Sequence, residues 1–205
     1  MNKNSFIRIL MAIIGVLFSG ISVGFFKLSK FGTDPFQCLM SGLYNTFKID
    51  FGLLYVIVNV LLLIVVFIID KKFIGLGTLI NLFLVGYIVD FSYLFLVHHL
   101  IFDNMIAKCI YMAIGFIGLC FGSSLYFTAD MGVSTYDAIA LYLAKIDFAP
   151  FKYCRIGTDL ICVVTGLILG GIAGVGTIIT AFFMGPLVQY FNNTFSIPLL
   201  NKYSN

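Results

Sequence analysis

Arg155 and Asp159 stand four residues apart in an otherwise apolar stretch. On a helix that spacing puts both on one face, a turn apart, where they can pair. An unpaired charge in hydrocarbon costs at least ~2.5 kcal/mol, so pairing or a wet cavity is required. Asp137 is a second acid that the same cation could reach if the chain folds back. The chemistry open to this set is binding of a ligand or a proton. The bland alternative is an ion pair that locks two helices.

Ser134, Thr135 and Tyr136 run directly into Asp137, and a hundred residues earlier Thr33, Asp34 and Pro35 run toward Gln37. Both runs are helix-start signals: side-chain oxygens cap free N–H groups, and Pro35 fits a first turn where its missing N–H costs nothing. Helix ends of this kind favour anionic groups; the alternative is a turn into an interfacial helix that binds nothing. Softer residues match the charged ones: Gln37 stands opposite Asp137, Asn59 opposite Asp159 and Tyr55 opposite Arg155. Gln189 and Asp90 also correspond, each about four residues after Gly185 or Gly86. The candidate solute-binding set is therefore Asp137, Arg155, Asp159, Thr33, Asp34, Gln37, Ser134, Thr135, Tyr136, Asn59 and Gln189. Asp90 is expected near lipid headgroups, and Thr78 and Thr177, each just after paired glycines, are expected to pack helices rather than touch a ligand.

Other chemistries find little footing. His98 and His99 are adjacent, so on a helix they diverge by about 100° and chelate poorly. Five cysteines lie singly, without a C-x-x-C pair. No H-E-x-x-H run, nucleotide-binding loop or evident nucleophile–base pair occurs. No metal, cofactor or catalytic residue is expected, and the chain does not read as an enzyme or a self-contained ATP-driven pump.

The elements that must position these residues come in two copies. Phe31-Gly32-Thr33-Asp34-Pro35-Phe36-Gln37 answers Met131-Gly132-Val133-Ser134-Thr135-Tyr136-Asp137, Lys48-Ile49-Asp50-Phe51 answers Lys145-Ile146-Asp147-Phe148, and Gly75-Leu76-Gly77-Thr78 answers Gly174-Val175-Gly176-Thr177. Two related halves, 1–103 and 104–205, within one membrane domain follow. Each half reads long, short, long, long: apolar runs at 6–27, 51–70 and 74–97, then 105–128, 152–170 and 174–191, with short pieces at 34–47 and 134–145. The long runs suit transmembrane helices, and the short pieces suit re-entrant or interfacial ones. The segment near the N-terminus resembles a signal peptide, yet Gly20 and Gly24 have partners in Gly118 and Gly122, so it is expected to be retained.

Hydrophobic residues make up 61% of the chain and charged ones 10%, against roughly 45–50% and 25% in soluble domains. The lipid bilayer must therefore solvate most of it. The net charge of +3 is scattered, with no basic patch for nucleic acid. With six spans and an inside N-terminus, eight Lys and Arg fall inside (Lys3, Arg8, Lys71, Lys72, Lys145, Lys152, Arg155, Lys202) and four outside (Lys27, Lys30, Lys48, Lys108). That bias favours both termini in the cytoplasm, and three spans per half makes the halves inverted.

The Gly132-x-x-x-Tyr136-Asp137 run, the Arg155-x-x-x-Asp159 pair, Gly170-Gly171, Gly174-x-Gly176-Thr177 and Gly185-Pro186-x-x-Gln189 together resemble the bacterial YczE/YyaS/YitT family of integral membrane proteins. The first half resembles it through Gly32-x-x-Pro35, Gly75-x-Gly77-Thr78 and Asp90, and the likeness runs over roughly residues 8–192. It departs at Ser134-Thr135, where family members often carry a Gly-Pro or Pro-Pro type pair. The resemblance implies a multi-pass protein of the bacterial plasma membrane and leaves its activity open.

The expected fold is an all-α membrane protein of about six transmembrane helices in two internal repeats, each with one short helix. The expected function is secondary transport or export of a small polar or anionic solute at the repeat interface, driven by a coupling ion, with self-association compatible. The alternative is a non-transporting accessory protein that binds a lipid or a partner membrane protein, or a substrate-binding subunit of a larger transporter.

Overall fold

A computed structural model describes residues 3–32, 34–49, 51–100 and 104–204. Among these residues the regular structure is helical, with no strand: α1 (Lys3–Ser29), α2 (Pro35–Phe47), α3 (Phe51–Ile69), α4 (Leu76–His99), α5 (Met105–Ala129), α6 (Thr135–Lys145), α7 (Phe151–Ile168), α8 (Val175–Phe191) and α9 (Ile197–Ser204). α2 begins as its sequence dictates. Asp34 is its N-cap and accepts from the Gln37 N–H at 3.1 Å, with Pro35 in the first position.

Among the described residues three helices are long and apolar enough to cross a membrane: Ser5–Ser29 within α1, Leu76–His99 and Met105–Ala129. α3 is apolar but shorter. α7 carries Lys152, Arg155 and Asp159, and α8 has only 17 residues. The chain also continues helical beyond the last apolar run. Past α8 a π-turn, Asn192–Ser196, leads into α9. Pro198 explains the wide turn: it lacks the N–H that would bond one turn back, and its ring crowds that carbonyl.

The chain forms two compact units. One comprises Met1–Lys30, Lys72–Ser134 and Pro186–Asn205; the other comprises Phe31–Lys71 and Thr135–Gly185. Each unit draws on both sequence halves, so packing and repetition divide the chain differently.

In the first unit, α1 is the central helix. Its Gly20 and Gly24 lie against Ile88 and Ser92 of α4, so the two helices run in the same direction. Its Gly15 lies against Gly122 and Tyr126 of α5, and its Ser22 against Gly115 and Gly118, so α5 runs the other way. Small residues at these crossings let backbones approach closely, which is what drives helix association in lipid. Ser92 donates to the Gly20 carbonyl at 3.3 Å, and Lys27 pairs with Asp90 at 3.4 Å.

In the second unit, α2 packs on α7, and α6 on both α7 and α3. Asn45 donates to the Gly170 carbonyl at 2.6 Å, and the Ile172 N–H donates to Ser41 Oγ at 3.2 Å. Phe36, Met40 and Leu54 are buried at its core.

One local arrangement occurs in each unit. In the first, the Gly77 N–H donates to the Met131 carbonyl at 2.7 Å, and Thr78 Oγ1 donates to the Val133 carbonyl at 2.8 Å. In the second, the Gly176 N–H donates to the Phe31 carbonyl at 2.8 Å. Each paired-glycine segment thus docks on the turn that precedes a short helix of the other half. Those turns need glycine: Gly32 and Gly132 have φ of 102° and 95°, which L side chains adopt only with strain. Thr78 serves this docking, in line with the packing role expected of it.

Gly86 is the contrasting case, since a Cβ there would meet nothing within 4 Å. Gly86→Ala is expected to leave the melting temperature unchanged or raise it, because alanine is favoured over glycine in a helix by up to ~1 kcal/mol. Thermal unfolding of the purified protein checks this.

Candidate functional site

The second unit carries a polar cluster in apolar surroundings, built from the first turn of α6 and the first half of α7. Arg155 and Asp159 are both buried. Their spacing does what the sequence suggests: Arg155 Nε donates to Asp159 Oδ2 at 3.2 Å. The guanidinium also reaches across to α6, where its Nη1 donates to Asp137 Oδ1. Tyr136, next to Asp137, donates from its hydroxyl to Asp159 Oδ1. Its ring lies under the guanidinium, 4.8 Å from the Arg155 Cζ, a cation–π arrangement that strengthens when water is excluded.

Neighbouring helices fix this geometry. Thr135 Oγ1 donates to Asn59 Oδ1 on α3 at 3.0 Å, and Asn59 Nδ2 donates to the Tyr55 carbonyl at 2.9 Å. Phe36 on α2 stacks on Tyr136 with centroids 5.1 Å apart, and meets Tyr55 edge-on at 5.9 Å. α6 is tied at its far end as well, where Lys145 pairs with Asp70 at the end of α3. α8 contributes the Met184 thioether, 3.7 Å from Arg155 Nη2, and Gly185, where a Cβ would meet the Lys152 carbonyl at 2.9 Å and Arg155 Cβ at 3.1 Å.

The cluster unites much of the predicted set. Asp137, Arg155, Asp159 and Tyr136 are in direct contact, and Thr135 and Asn59 buttress them. Asp34 lies in the same unit, close enough that the Arg155 charge acts on it. Burial pushes the Asp34 carboxyl above its ordinary range, while the Gln37 N–H and the Arg155 charge pull the other way. Gln37 contributes its backbone N–H to Asp34. Ser134 and Gln189 belong to the first unit, and Gln189 Oε1 is buried there without a hydrogen-bond partner among the described residues. Thr33 lies outside the described residues.

The end of α2 is capped from within, the Gln37 N–H donating to the Asp34 carboxylate. Sequence reasoning missed Phe36 and Met184. Phe36 follows Pro35 in the first turn of α2, a position that could have marked it; Met184 carries no comparable signal.

Outside this cluster, a groove of about 550 Å³ between α1 and α4 is lined by Leu17, Ile21, Tyr87, Ile88, Phe91 and Phe95, and presents apolar surface. His99 stacks on Phe95 at 4.2 Å, and its ring lies at 72° to that of His98.

Comparison with known proteins places this site in context. Residues 6–193 match a family of unknown function, DUF6198. An uncharacterized protein of Haemophilus influenzae is 26% identical over 187 residues, covering 91% of this chain and 83% of that protein. The uncharacterized protein YyaS of Bacillus subtilis is 27% identical over 179 residues, covering 87% and 89%. YczE of the same organism, described as an uncharacterized membrane protein, is 25% identical over 170 residues, covering 83% and 77%. No solved structure matches the chain.

Proposed function

The chain belongs to the DUF6198 family of unknown function, so its own site must carry the reading, and we propose a multi-pass protein of the bacterial plasma membrane that works as a secondary transporter. The observation that carries this is the cluster of buried Arg155 and Asp159 with half-buried Asp137 and Tyr136. Ionisable groups inside a membrane bundle are expensive, and they mark solute and proton pathways. Asp137 and Asp159 both face the Arg155 guanidinium, and Asp34 caps the end of α2. The solute is a small polar or anionic one for which Arg155 is the partner, with Asp137 and Asp159 carrying protons or fixing Arg155.

Topology supports the same reading. α1 and α4 run in the same direction, so if both cross the bilayer the chain makes one net crossing between Ser29 and Leu76. α2, with 13 residues, is too short to supply it, and α3, shorter than the three long helices at 19 residues, still falls within the roughly 17–25 residues that can span. That one crossing in the first half and the distribution of Lys and Arg support a reading of three spans per half, in inverted orientation with both termini cytoplasmic. The paired-glycine segments docked on the other half's turns are the interlocking such inverted halves need. Nothing in the cluster pairs a nucleophile with a base, and the protein is read as a carrier rather than an enzyme.

The apolar groove between α1 and α4 favours a second reading, an accessory protein that holds a lipid chain there. A thermal-shift screen separates the two. Purified protein is melted with inorganic cations, amines, amino acids, organic acids and nucleosides, beside Asp137→Asn and Asp159→Asn variants. A ligand at ~100 times its dissociation constant should add roughly 2.7 kcal/mol of stability. The transport reading expects such a gain in the wild type and its loss in both variants. Silence from every polar solute, with both variants less stable, favours the accessory reading.

A further inference from the structure

We propose that the solute is anchored by an oxygen acceptor, from a carboxylate or a carboxamide, which takes its place at Arg155 Nη2 by displacing the Met184 thioether. The inference rests on the transport reading and deepens it, naming the chemical class of the solute and the side chain that yields to it.

A guanidinium carries five N–H donors on three nitrogens in one plane. Nε donates to Asp159 Oδ2 and Nη1 to Asp137 Oδ1, so two of the nitrogens meet carboxylate oxygens on α7 and α6. The third does not. Among the described residues Nη2 meets only Met184 Sδ, at 3.7 Å, and a thioether is a weak acceptor. Arg155 is only 4% exposed, so bulk solvent barely reaches it. A buried charged donor without a strong acceptor is costly. A solute oxygen at Nη2 removes that cost.

Met184 is suited to give way. Its side chain is unbranched, with three rotatable bonds, and adapts to irregular gaps. Its backbone is held. A Cβ on the next residue, Gly185, would meet the Lys152 carbonyl oxygen at 2.9 Å and Arg155 Cβ at 3.1 Å. α8 is therefore pressed onto α7 at this level, and the thioether swings while the helix stays. The Tyr136 ring covers one face of the guanidinium, 4.8 Å from Cζ, and the Nη2 edge is the one that α8 faces. The space freed is that of the thioether end, which a carboxylate or a carboxamide matches in size.

NMR of the protein in lipid nanodiscs, labelled with carbon-13 at the methionine methyls, reads the displacement directly. The probes are acetate, succinate, acetamide and succinamide, with ethylammonium as the probe that lacks an oxygen acceptor. The Met184 signal is the one missing from Met184→Leu, a substitution that conserves volume. It should shift with at least one acid or amide and not with ethylammonium, while the exposed Met105 stays in place. A response to the acids alone, or to the amides alone, supports the proposal and decides which group the site takes. Met184→Ala should bind the same probe at least about tenfold more tightly, because its site need not be vacated first. Met184→Gln brings its own oxygen to Nη2 and should lose the response. A Met184 signal that stays still with every probe would overturn the proposal, as would binding that Met184→Gln retains. The wild-type spectra decide the matter if the Ala and Gln variants do not fold. An amine or inorganic cation that stabilises the wild type in the thermal-shift screen, beside a still Met184 signal, removes this anchoring alone. A Met184 signal that shifts, with no solute moved in proteoliposomes, keeps the anchoring site and removes transport.

Discussion

Replacing Arg155 with methionine is expected to destabilise the protein by about 3–5 kcal/mol, the range seen when one member of a buried ion pair is removed. The loss comes less from the attraction itself than from what remains. Asp159 and Asp137 would keep their places inside the second unit without the guanidinium that now faces both. Tyr136 would lose the cation over its ring. A triple replacement, Arg155→Met with Asp137→Leu and Asp159→Leu, removes the uncompensated charge as well as its partner. It is expected to recover most of the stability, since apolar substitutes for buried ion pairs are often neutral or better. Thermal unfolding of the three proteins side by side checks the order: wild type and triple variant close together, Arg155→Met well below. The triple variant would then be a folded protein without the cluster, able to separate a structural role from a functional one. If it folds well and no longer responds to a ligand, stability is not the reason for the charges.

The second large effect is expected at Gly174. A Cβ there would run into the backbone of the turn before α2, against the Phe31 carbonyl oxygen, with the Phe31 carbon at 2.6 Å and Gly32 Cα at 2.9 Å. Neither neighbour is a flexible side chain that can swing away. Relief would require the turn to move, and the 2.8 Å bond from the Gly176 N–H to the Phe31 carbonyl would go with it. Overpacking of this kind typically costs about 1–3 kcal/mol, and the hydrogen bond adds about 1 kcal/mol. Gly174→Ala should therefore lower the melting temperature markedly, while Gly86→Ala, in open space, does not. The same one-carbon change in two glycines of α4 and its counterpart region would then give opposite results, which composition alone would not foresee.

Much of the helical layout is legible in the sequence because its signals are local. Asp34 and Pro35 start α2, apolar runs set the lengths of α1, α4 and α5, and the four-residue spacing pairs Arg155 with Asp159. The tie from Arg155 to Asp137 is different. It joins residues 18 apart across a turn, and spacing can only make it possible. The docking of Gly174 and Gly176 on the turn at Gly32 is further still from local reading. Paired glycines announce close approach but not the partner, and here each pair meets the other half of the chain. That exchange is also why the compact units cut across the sequence halves. The cap at Asp34 is legible because it is local, since it lies three residues before the Gln37 N–H whose hydrogen bond it accepts.

The most direct test of transport is proton flux in proteoliposomes that contain a pH-sensitive dye, challenged in turn with inorganic cations, amines, amino acids and organic acids. At least one class is expected to drive a change in internal pH with the wild type and with Gly86→Ala, and none with Asp137→Asn or Asp159→Asn. Flux that survives in both Asp variants, or no flux with any solute from a protein that folds and reconstitutes, would contradict the account.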